Sequence, residues 1–251
     1  MTNRITTILL GCLLGSSLAM AQEPAADPGL APTKDTPPPA KQAAPKAEGE
    51  NAPKAPKAVV GKKAPAFSLK DTLGQVHNLS DFSGKYVVLE WFNPGCPYCR
   101  NIYKEGVVQD TCEKMRSVDP DFVYIAVNST ANQPEDFVIT QSNSFLEDYE
   151  GNIPVLMDYD GKVGRIYEAK TTPHMYLIDP DGVLIYSGAI TDDRNFTKGS
   201  EATNYIVDAA RQSASGEKVA PNTVRPWGCG VKYADGGSRK GGRRGGRRPA
   251  P

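Results

Sequence analysis

The chain of 251 residues predicts an α/β fold in which helices flank a central mixed sheet. Apolar runs of strand length alternate with longer segments of helical pattern, which is the arrangement of α/β domains. The last two such runs flank Asp179-Pro180-Asp181-Gly182, a turn sequence that predicts an antiparallel hairpin. Strands that are separated by helices and end in a hairpin predict a mixed sheet rather than a purely parallel one.

The individual elements follow from local patterns in chain order. A short hairpin with its turn at residues 71–74 precedes the main sheet as an N-terminal extension. Residues 86–92 form an apolar run that is typical of a strand buried on both faces. Residues 100–118 look helical, although Gly106 weakens the middle of the segment. The other predicted elements are a strand at 122–127, a helix at 134–149, a strand at 153–157, a helix at 161–169, hairpin strands at 175–178 and 183–186, and a helix at 201–213.

Residues 1–21 have the features of a secretory signal peptide. Arg4 supplies a short basic region, residues 8–14 an apolar core, and Ala19-Met20-Ala21 a cleavage site of the A-x-A type. We therefore expect an exported chain, periplasmic or secreted.

A lipid anchor and a membrane span are both disfavoured. Leu9-Leu10-Gly11-Cys12 resembles a lipoprotein cleavage box, but it comes early and a further apolar stretch follows it, so anchoring at Cys12 is the weaker interpretation. No other stretch approaches the roughly 20 apolar residues that a membrane-spanning helix needs.

Two further segments have compositions that cannot build a core. Residues 22–57 contain nine prolines and nine alanines without hydrophobic periodicity, which predicts a disordered linker. Residues 234–251 combine glycine with six basic residues and predict a disordered tail.

One compact domain is expected over residues 58–233. The formal net charge of zero hides the basic tail, which in an exported protein we expect either to act as a solubilising tail or to contact anionic envelope surfaces, rather than to bind nucleic acid.

Cys96 and Cys99 form a CxxC motif where the apolar strand gives way to the helical pattern. A helix N-terminus stabilises an anion, so a cysteine there has a lowered pKa. We expect Cys96 to be the exposed nucleophile. Cys99, almost one turn later, would attack the mixed disulfide and release the substrate. Pro97 suits the first helical turn.

Glu90 interrupts the apolar strand just before this motif. A carboxylate in a buried strand is costly unless it is protonated or paired, so its pKa should rise and make it a candidate proton carrier. The alternative is a residue at the end of the sheet that reaches water.

Together these residues resemble the thioredoxin-like superfamily, in particular the redoxin (AhpC/TSA-type) branch with its exported thiol-disulfide oxidoreductases and peroxiredoxin-like proteins. The resemblance covers nearly all of residues 58–233. Its marks are Ala64-Pro65-Ala66-Phe67-Ser68-Leu69 with Asp71 and Gly74, the stretch 91–99, Thr172-Pro173, and the turn at 179–182.

The resemblance implies a thioredoxin-like fold and a role for particular residues. Pro173 would be a cis-proline facing the dithiol, and Thr172 before it would offer backbone hydrogen bonds to an extended substrate. Glu90, six residues before Cys96, would be the buried acid that carries a proton for Cys99. We expect Trp91 and Tyr98 to border the substrate groove, and no organic cofactor is implied.

Two other functions compete with disulfide exchange. A peroxiredoxin-like hydroperoxide reductase would need proline and Thr or Ser where this chain has Leu89 and Asn93, although some peroxiredoxin-like redoxins share the Arg-Pro-aromatic-Gly-Cys ending found at residues 225–229. The interpretation as a copper carrier that uses Cys96, Cys99 and His174 is weaker, because the copper carriers of this superfamily have a CxxxC motif, whereas the spacing here is CxxC. We assign no metal ligands and expect His77 and His174 to be surface or hydrogen-bonded structural residues.

Two cysteines remain outside the motif. Cys112 shares a helical face with Val108 and Met115, a pattern typical of a buried stripe. Cys229 lies between two glycines after the last helix, where it would either form a structural disulfide with Cys112, act as a further resolving cysteine for Cys96, or remain an inert thiol.

The sequence thus predicts a monomeric, exported oxidoreductase that acts on thiol and disulfide groups. Its partners would be protein thiols or disulfides and an upstream redox partner that resets the Cys96–Cys99 pair. Whether it reduces or oxidises its substrates depends on the reduction potential of the pair and on that partner, neither of which the sequence fixes.

Overall fold

The computed structural model describes residues 56–147, 149 and 153–234. The predicted signal peptide with Cys12, the linker up to residue 55 and the basic tail from residue 235 lie outside the described residues.

Within the described residues the chain forms nine strands and five α-helices. The strands are β1 (Ser68–Asp71), β2 (Val76–Asn78), β3 (Val87–Trp91), β4 (Val123–Asn128), β5 (Val155–Met157), β6 (Thr171–Thr172), β7 (Met175–Ile178), β8 (Leu184–Gly188) and β9 (Cys229–Gly230). The helices are α1 (Pro97–Lys104), α2 (Val107–Arg116), α3 (Glu135–Glu147), α4 (Lys162–Ile166) and α5 (Tyr205–Ala214).

Seven of the strands form one mixed sheet in the order β2-β1-β5-β4-β3-β7-β8. β3 is parallel to β4 and antiparallel to β7, and β4 is parallel to β5. The predicted N-terminal hairpin is β1–β2, and it extends the sheet through antiparallel pairing of β1 with β5. This confirms the predicted thioredoxin-like fold, with its mixed sheet, flanking helices and N-terminal hairpin.

β3 has buried residues on both faces of the sheet, as its apolar run predicted. Val88 and Phe92 pack with α1, α2, α3 and α5 on one face, while Val87, Leu89 and Trp91 pack with α4 on the other. Because side chains alternate along a strand, Glu90 points to the same face as Val88 and Phe92. The carboxyl group therefore faces the helix that carries the cysteines.

Three helices depart most from their predicted bounds, among them α4, which ends at Ile166 rather than at residue 169. The segment predicted as one helix over 100–118 begins at Pro97 and divides into α1 and α2 at Gly106, whose φ of 72° lies in the left-handed region that glycine tolerates. The last helix begins later than predicted because Asn204 caps it, accepting a hydrogen bond from the Val207 N–H at 3.2 Å.

The sequence predicted no strand beyond α5, but residues 222–233, here called the C-terminal segment, return to the sheet. Val224 N–H donates to the Ser187 carbonyl of β8 at 3.2 Å, and β9 then pairs antiparallel with β6 as a separate two-stranded sheet. In the described part of the chain, no helix combines the length and apolar character that crossing a membrane requires.

Candidate active site

Cys96 occupies the N-cap of α1, directly after the loop that leaves β3. The Cys96 N–H donates to the Asn93 carbonyl at 2.9 Å, and the Asn93 side chain accepts from the Gly95 N–H at 2.7 Å. The Cys96 carbonyl accepts the first helical bond from Arg100. The tight loop thus holds the Cys96 thiol at the positive end of the helix dipole.

The two motif cysteines have opposite pKa shifts. The pKa of Cys96 is lowered because interactions with the Cys99 thiol, the Cys229 thiol, the Thr172 side chain and the Cys99 backbone N–H favour the thiolate by more than burial disfavours it. The pKa of Cys99 is raised well above its usual value by complete burial, by its hydrogen bond to Cys96 and by the charges of Glu90 and Cys96. Cys96 is therefore the thiolate at neutral pH, while Cys99 keeps its proton.

Glu90 lies beneath the two cysteines with no solvent exposure, so the alternative in which it reaches water is wrong. Burial raises the pKa of Glu90 to about 7, although hydrogen bonds from the Tyr124 and Tyr103 hydroxyls to Oε2, each 2.9 Å, oppose this shift. The other carboxyl oxygen, Oε1, has no hydrogen-bond partner among the described residues. The Cys99 thiol also interacts with the Glu90 carboxyl and opposes the rise in its pKa. A carboxyl with this pKa exchanges protons near neutral pH.

Thr172 and Pro173 lie on the outer side of Cys96, and the peptide bond between them is cis, as the resemblance implied. In its thiol form Cys96 donates to the Thr172 carbonyl at 2.9 Å. The Thr172 hydroxyl is buried and has no partner among the described residues while Cys96 is protonated. The Thr172 side chain nevertheless contributes to lowering the pKa of Cys96, because a charged sulfur would offer this hydroxyl an acceptor.

The prediction that Cys96 is exposed is wrong, since only 2% of the residue is accessible. The C-terminal segment covers the thiol. In the ladder of β6 and β9, Thr172 lies opposite Cys229, and a Cβ added to Gly228 would overlap the Thr172 carbonyl. Only glycine allows the backbone to approach this closely.

Trp91 and Tyr98, both expected at a substrate groove, have different positions. Trp91 is fully buried on the far face of the sheet, where its indole N–H donates to Ser129 at 3.0 Å, so the prediction for Trp91 is wrong. The alternation along β3 directs its side chain away from the helix that carries the cysteines. Tyr98 is half-buried, and its ring centroid lies 5.9 Å from that of Trp227 in the C-terminal segment.

The four described cysteines are free thiols, and the two outside the motif have separate surroundings. Cys112 is buried with Val108 and Met115, the stripe predicted from spacing, and burial raises its pKa to about 11. Cys229 instead lies opposite Thr172, whose carbonyl the Cys96 thiol contacts, and burial and interaction with Cys96 raise its pKa. Of the roles left open for Cys229, a linkage to Cys112 is not formed in this structure, and proximity to Cys96 favours a role at the active site.

The histidines are hydrogen-bonded residues in structural surroundings. His174 is buried, its Nδ1 lies 2.9 Å from the Tyr176 hydroxyl and its Nε2 lies 3.3 Å from the Ser187 hydroxyl. His77 Nε2 lies 2.8 Å from Asp71. Across the described residues, no group of three His, Cys, Asp or Glu side chains is arranged to hold a metal ion.

Sequence reasoning missed the aromatic residues that complete the site. Tyr103 is one helical turn beyond Cys99, so helical spacing already placed it on the same face of α1. Tyr124 lies on β4, and Trp227 reaches the site only because the C-terminal segment returns. No local pattern reveals the last two contacts.

Comparisons with known proteins agree with this geometry. Residues 60–187 match the family model described as the AhpC/TSA family. Thiol-disulfide oxidoreductase ResA of Bacillus subtilis is 30% identical over 134 residues, which cover 53% of this chain and 69% of ResA. Thioredoxin-like protein YneN of the same organism is also 30% identical over 134 residues, covering 52% of this chain and 73% of YneN.

Two solved structures share the fold. A hypothetical protein from Sinorhizobium meliloti superimposes with a TM-score of 0.61 at 22% identity, covering 72% of this chain and 97% of its own. An uncharacterized conserved protein from Geobacillus kaustophilus gives 0.60 at 24% identity, covering 70% and 92%. Their similarity extends the fold assignment beyond the part that matches the family model.

Proposed function

The chain belongs to the AhpC/TSA family, and we propose that it is an exported thiol-disulfide oxidoreductase that exchanges disulfides with protein thiols through Cys96 and Cys99. The observation that carries the proposal is the placement of the pair: Cys96 caps α1, Cys99 is fully buried one turn later, and the fully buried Glu90 carboxyl lies behind Cys99. The opposite pKa shifts of the two thiols agree with this placement. The name of ResA, a thiol-disulfide oxidoreductase, supports the same reaction class.

In the reducing direction, the Cys96 thiolate attacks one sulfur of a substrate disulfide. The substrate S–S bond breaks, its second sulfur leaves as a thiolate and takes a proton, and a mixed disulfide joins Cys96 to the substrate. Cys99 then transfers its proton to Glu90 and attacks the Cys96 sulfur. The Cys96–Cys99 disulfide forms, the substrate leaves fully reduced, and two electrons have passed from the protein to the substrate.

The reverse sequence oxidises a substrate dithiol, and a second redox partner resets the Cys96–Cys99 pair in either direction. Thr172 and Pro173 would present backbone to the extended substrate, as the resemblance implies. Export is supported by the signal-peptide features of residues 1–21 and the division into linker, domain and tail by composition. The mass of the protein recovered from the cell envelope tests export, because cleavage after Ala21 removes a defined mass.

The reaction is tested by trapping the mixed disulfide. Cys229 lies beside Cys96 and would compete for it, so the variant carries both Cys99→Ser and Cys229→Ser. After acid quenching of cells that express it, we expect reducible adducts between Cys96 and protein partners. Cys96→Ser with Cys229→Ser is the matched control and should give none.

Hydroperoxide reduction is the competing outcome of the same experiment. It is disfavoured because Asn93 stands where peroxidases carry a hydroxyl, and its side chain is engaged by the Gly95 N–H. If the trapping variant forms no adducts while the wild-type protein consumes hydroperoxide with a thiol reductant, the proposal is wrong and the chain is a peroxidase.

A further inference from the structure

The strand β9 occupies the backbone edge on which an extended substrate would dock. It pairs antiparallel with β6, so that Gly230 lies opposite Thr171 and Cys229 opposite Thr172. Addition of a strand to an exposed edge is a common mode of peptide recognition. The chain thus places one of its own segments, with a cysteine at its centre, against the residue before Pro173.

The Cys229 thiol meets the nucleophile in this arrangement. Cys229 lies opposite Thr172 in the ladder of β6 and β9, and the Cys96 thiol contacts the carbonyl of that same Thr172 at 2.9 Å, so both thiols meet at one residue. Burial and interaction with Cys96 also raise the pKa of Cys229. A substrate cysteine about to exchange its disulfide with Cys96 would have to reach the same sulfur.

The C-terminal segment is held on both sides of Cys229. Before it, the Trp227 indole N–H donates to the Thr191 carbonyl at 3.0 Å. After it, the Val231 N–H donates to the Lys170 carbonyl at 3.2 Å and the Lys232 carbonyl accepts from Ala131 at 2.8 Å. These bonds fix the position of β9 independently of the cysteines.

The surroundings also fit this segment closely. The ring of Trp227 lies 5.9 Å from Tyr98 and 6.1 Å from Phe196, between α1 and the loop before α5. Gly228 lies against the Thr172 carbonyl with a φ of 142°, a conformation that side chains rarely adopt. As a result Cys96 is almost inaccessible, and a protein substrate reaches it only when the segment moves.

We propose that Cys229 is a third redox-active cysteine, which forms an intrachain disulfide with Cys96 while β9 occupies the substrate position. The inference rests on the proposed function, because it uses the oxidised Cys96–Cys99 pair as its starting point. A tethered thiol acts at an effective concentration on the order of millimolar or higher, which favours this capture over that of a dilute external thiol.

The step is an internal disulfide exchange that needs no added oxidant. Cys229 loses its proton to solvent and attacks the Cys96 sulfur of the Cys96–Cys99 disulfide. The new Cys96–Cys229 bond forms, the old bond breaks, and Cys99 leaves as a thiolate that takes a proton from Glu90. The number of disulfides is unchanged, and the reverse attack by Cys99 restores the first pair.

Peptide mapping of the purified protein tests the disulfide directly. Trypsin places Cys96 and Cys99 on residues 86–100, Cys112 on 105–114 and Cys229 on 219–232, because the Arg225–Pro226 bond resists cleavage. After mild oxidation with diamide and alkylation of free thiols, we expect the 86–100 and 219–232 peptides to be joined in part of the wild-type protein. In Cys99→Ser they should be joined in nearly all molecules, and Cys112→Ser should behave as the wild type.

The result that overturns the proposal is a Cys99→Ser protein in which Cys229 remains fully alkylated after oxidation. The measurement uses no protein substrate, so a failure to trap substrates under the proposed function would leave this outcome unaffected. Conversely, the trapping variant of the proposed function carries Cys229→Ser. Adducts formed by that variant would support disulfide exchange with proteins whether or not Cys229 reacts with Cys96.

A matched pair of glycine variants tests whether β9 blocks the site. Gly228→Ala forces a Cβ into the Thr172 carbonyl, whereas a Cβ at Gly230 meets nothing within 4 Å. We expect Gly228→Ala to accelerate alkylation of Cys96 by a bulky maleimide by about tenfold or more and Gly230→Ala to leave it unchanged, with both proteins retaining the circular dichroism of the wild type. Equal rates in both variants would show that the segment does not cover the nucleophile in solution.

Discussion

Cys96 lies between two thiols, those of Cys99 and Cys229. Because their surroundings differ, the two thiols lose their protons in different ways. On the inner side, Cys99 is fully buried, and Glu90 with a pKa of about 7 lies next to it. On the outer side, Cys229 is partly exposed, and burial together with the Cys96 charge raises its pKa to about 11. The inner thiol therefore has a local base, whereas the outer thiol depends on solvent and on its fixed position. The two sides should resolve a mixed disulfide with different pH dependences.

Replacing the residue that both sides share should have the largest effect. Cys96→Ala removes the sulfur that the inner and outer thiols share, so disulfide exchange should fall by at least about 10³-fold. Reduction of a disulfide-bonded peptide under a thiol reductant measures this loss. Cys112→Ala is the control and should keep its rate, because its sulfur is buried in the core; a similar loss there would indicate that unfolding explains the effect.

Removing the base should affect the inner side alone. With a mixed disulfide preformed between Cys96 and thionitrobenzoate, Cys229→Ser leaves Cys99 as the resolving thiol and Cys99→Ser leaves Cys229. Glu90 accepts a proton only when deprotonated, so release by Cys99 should rise as the pH passes through about 7. Glu90→Gln should slow it by about 10²-fold at pH 8 and abolish that inflection.

Release by Cys229 should show no inflection near pH 7, and Glu90→Gln should leave its rate within about twofold of the parent. A loss of equal size on both sides would mean that Glu90 acts by supporting the fold rather than as a base for Cys99.

This contrast also explains how much of the site the sequence revealed. The inner side follows from local spacing: Cys96 caps α1, Cys99 lies in its first turn, and Glu90 lies on the strand that leads into it. The outer side depends on contacts between distant parts of the chain, since Thr172 is 76 residues from Cys96. β9 has only two residues, too few for any periodicity, so the cover over Cys96 was not predictable, and proximity of Cys229 to Cys96 was only one of three open alternatives. The mixed sheet was predictable because its strands carry strong apolar runs.

The burial of Glu90 should also appear in the stability of the protein. Its folded-state pKa of about 7 lies above the ordinary value of 4.5, so the folded state prefers the protonated form. The stabilisation is present below pH 4.5 and is lost as the pH rises to about 7, a change of about 3 kcal/mol for such a pKa difference. Denaturant unfolding of the reduced protein at several pH values measures it. Glu90→Gln should lack this dependence and be the more stable protein at pH 8; an unchanged pH dependence would place the titration on another group.

The smallest effect should come from the residue that links the outer side to the nucleophile. The Thr172 hydroxyl is buried without a hydrogen-bond partner among the described residues, and the Thr172 side chain contributes to lowering the pKa of Cys96. Thr172→Val keeps the shape and removes this donor, so the pKa of Cys96 should rise. Below that pKa, alkylation of Cys96 by iodoacetamide should slow severalfold, whereas at pH 8, where the thiolate dominates in both proteins, the rates should agree. Thr172→Ser retains the hydroxyl and should titrate as the wild type. An identical titration for the valine variant would assign the low pKa to Cys99, Cys229 and the helix N-terminus alone.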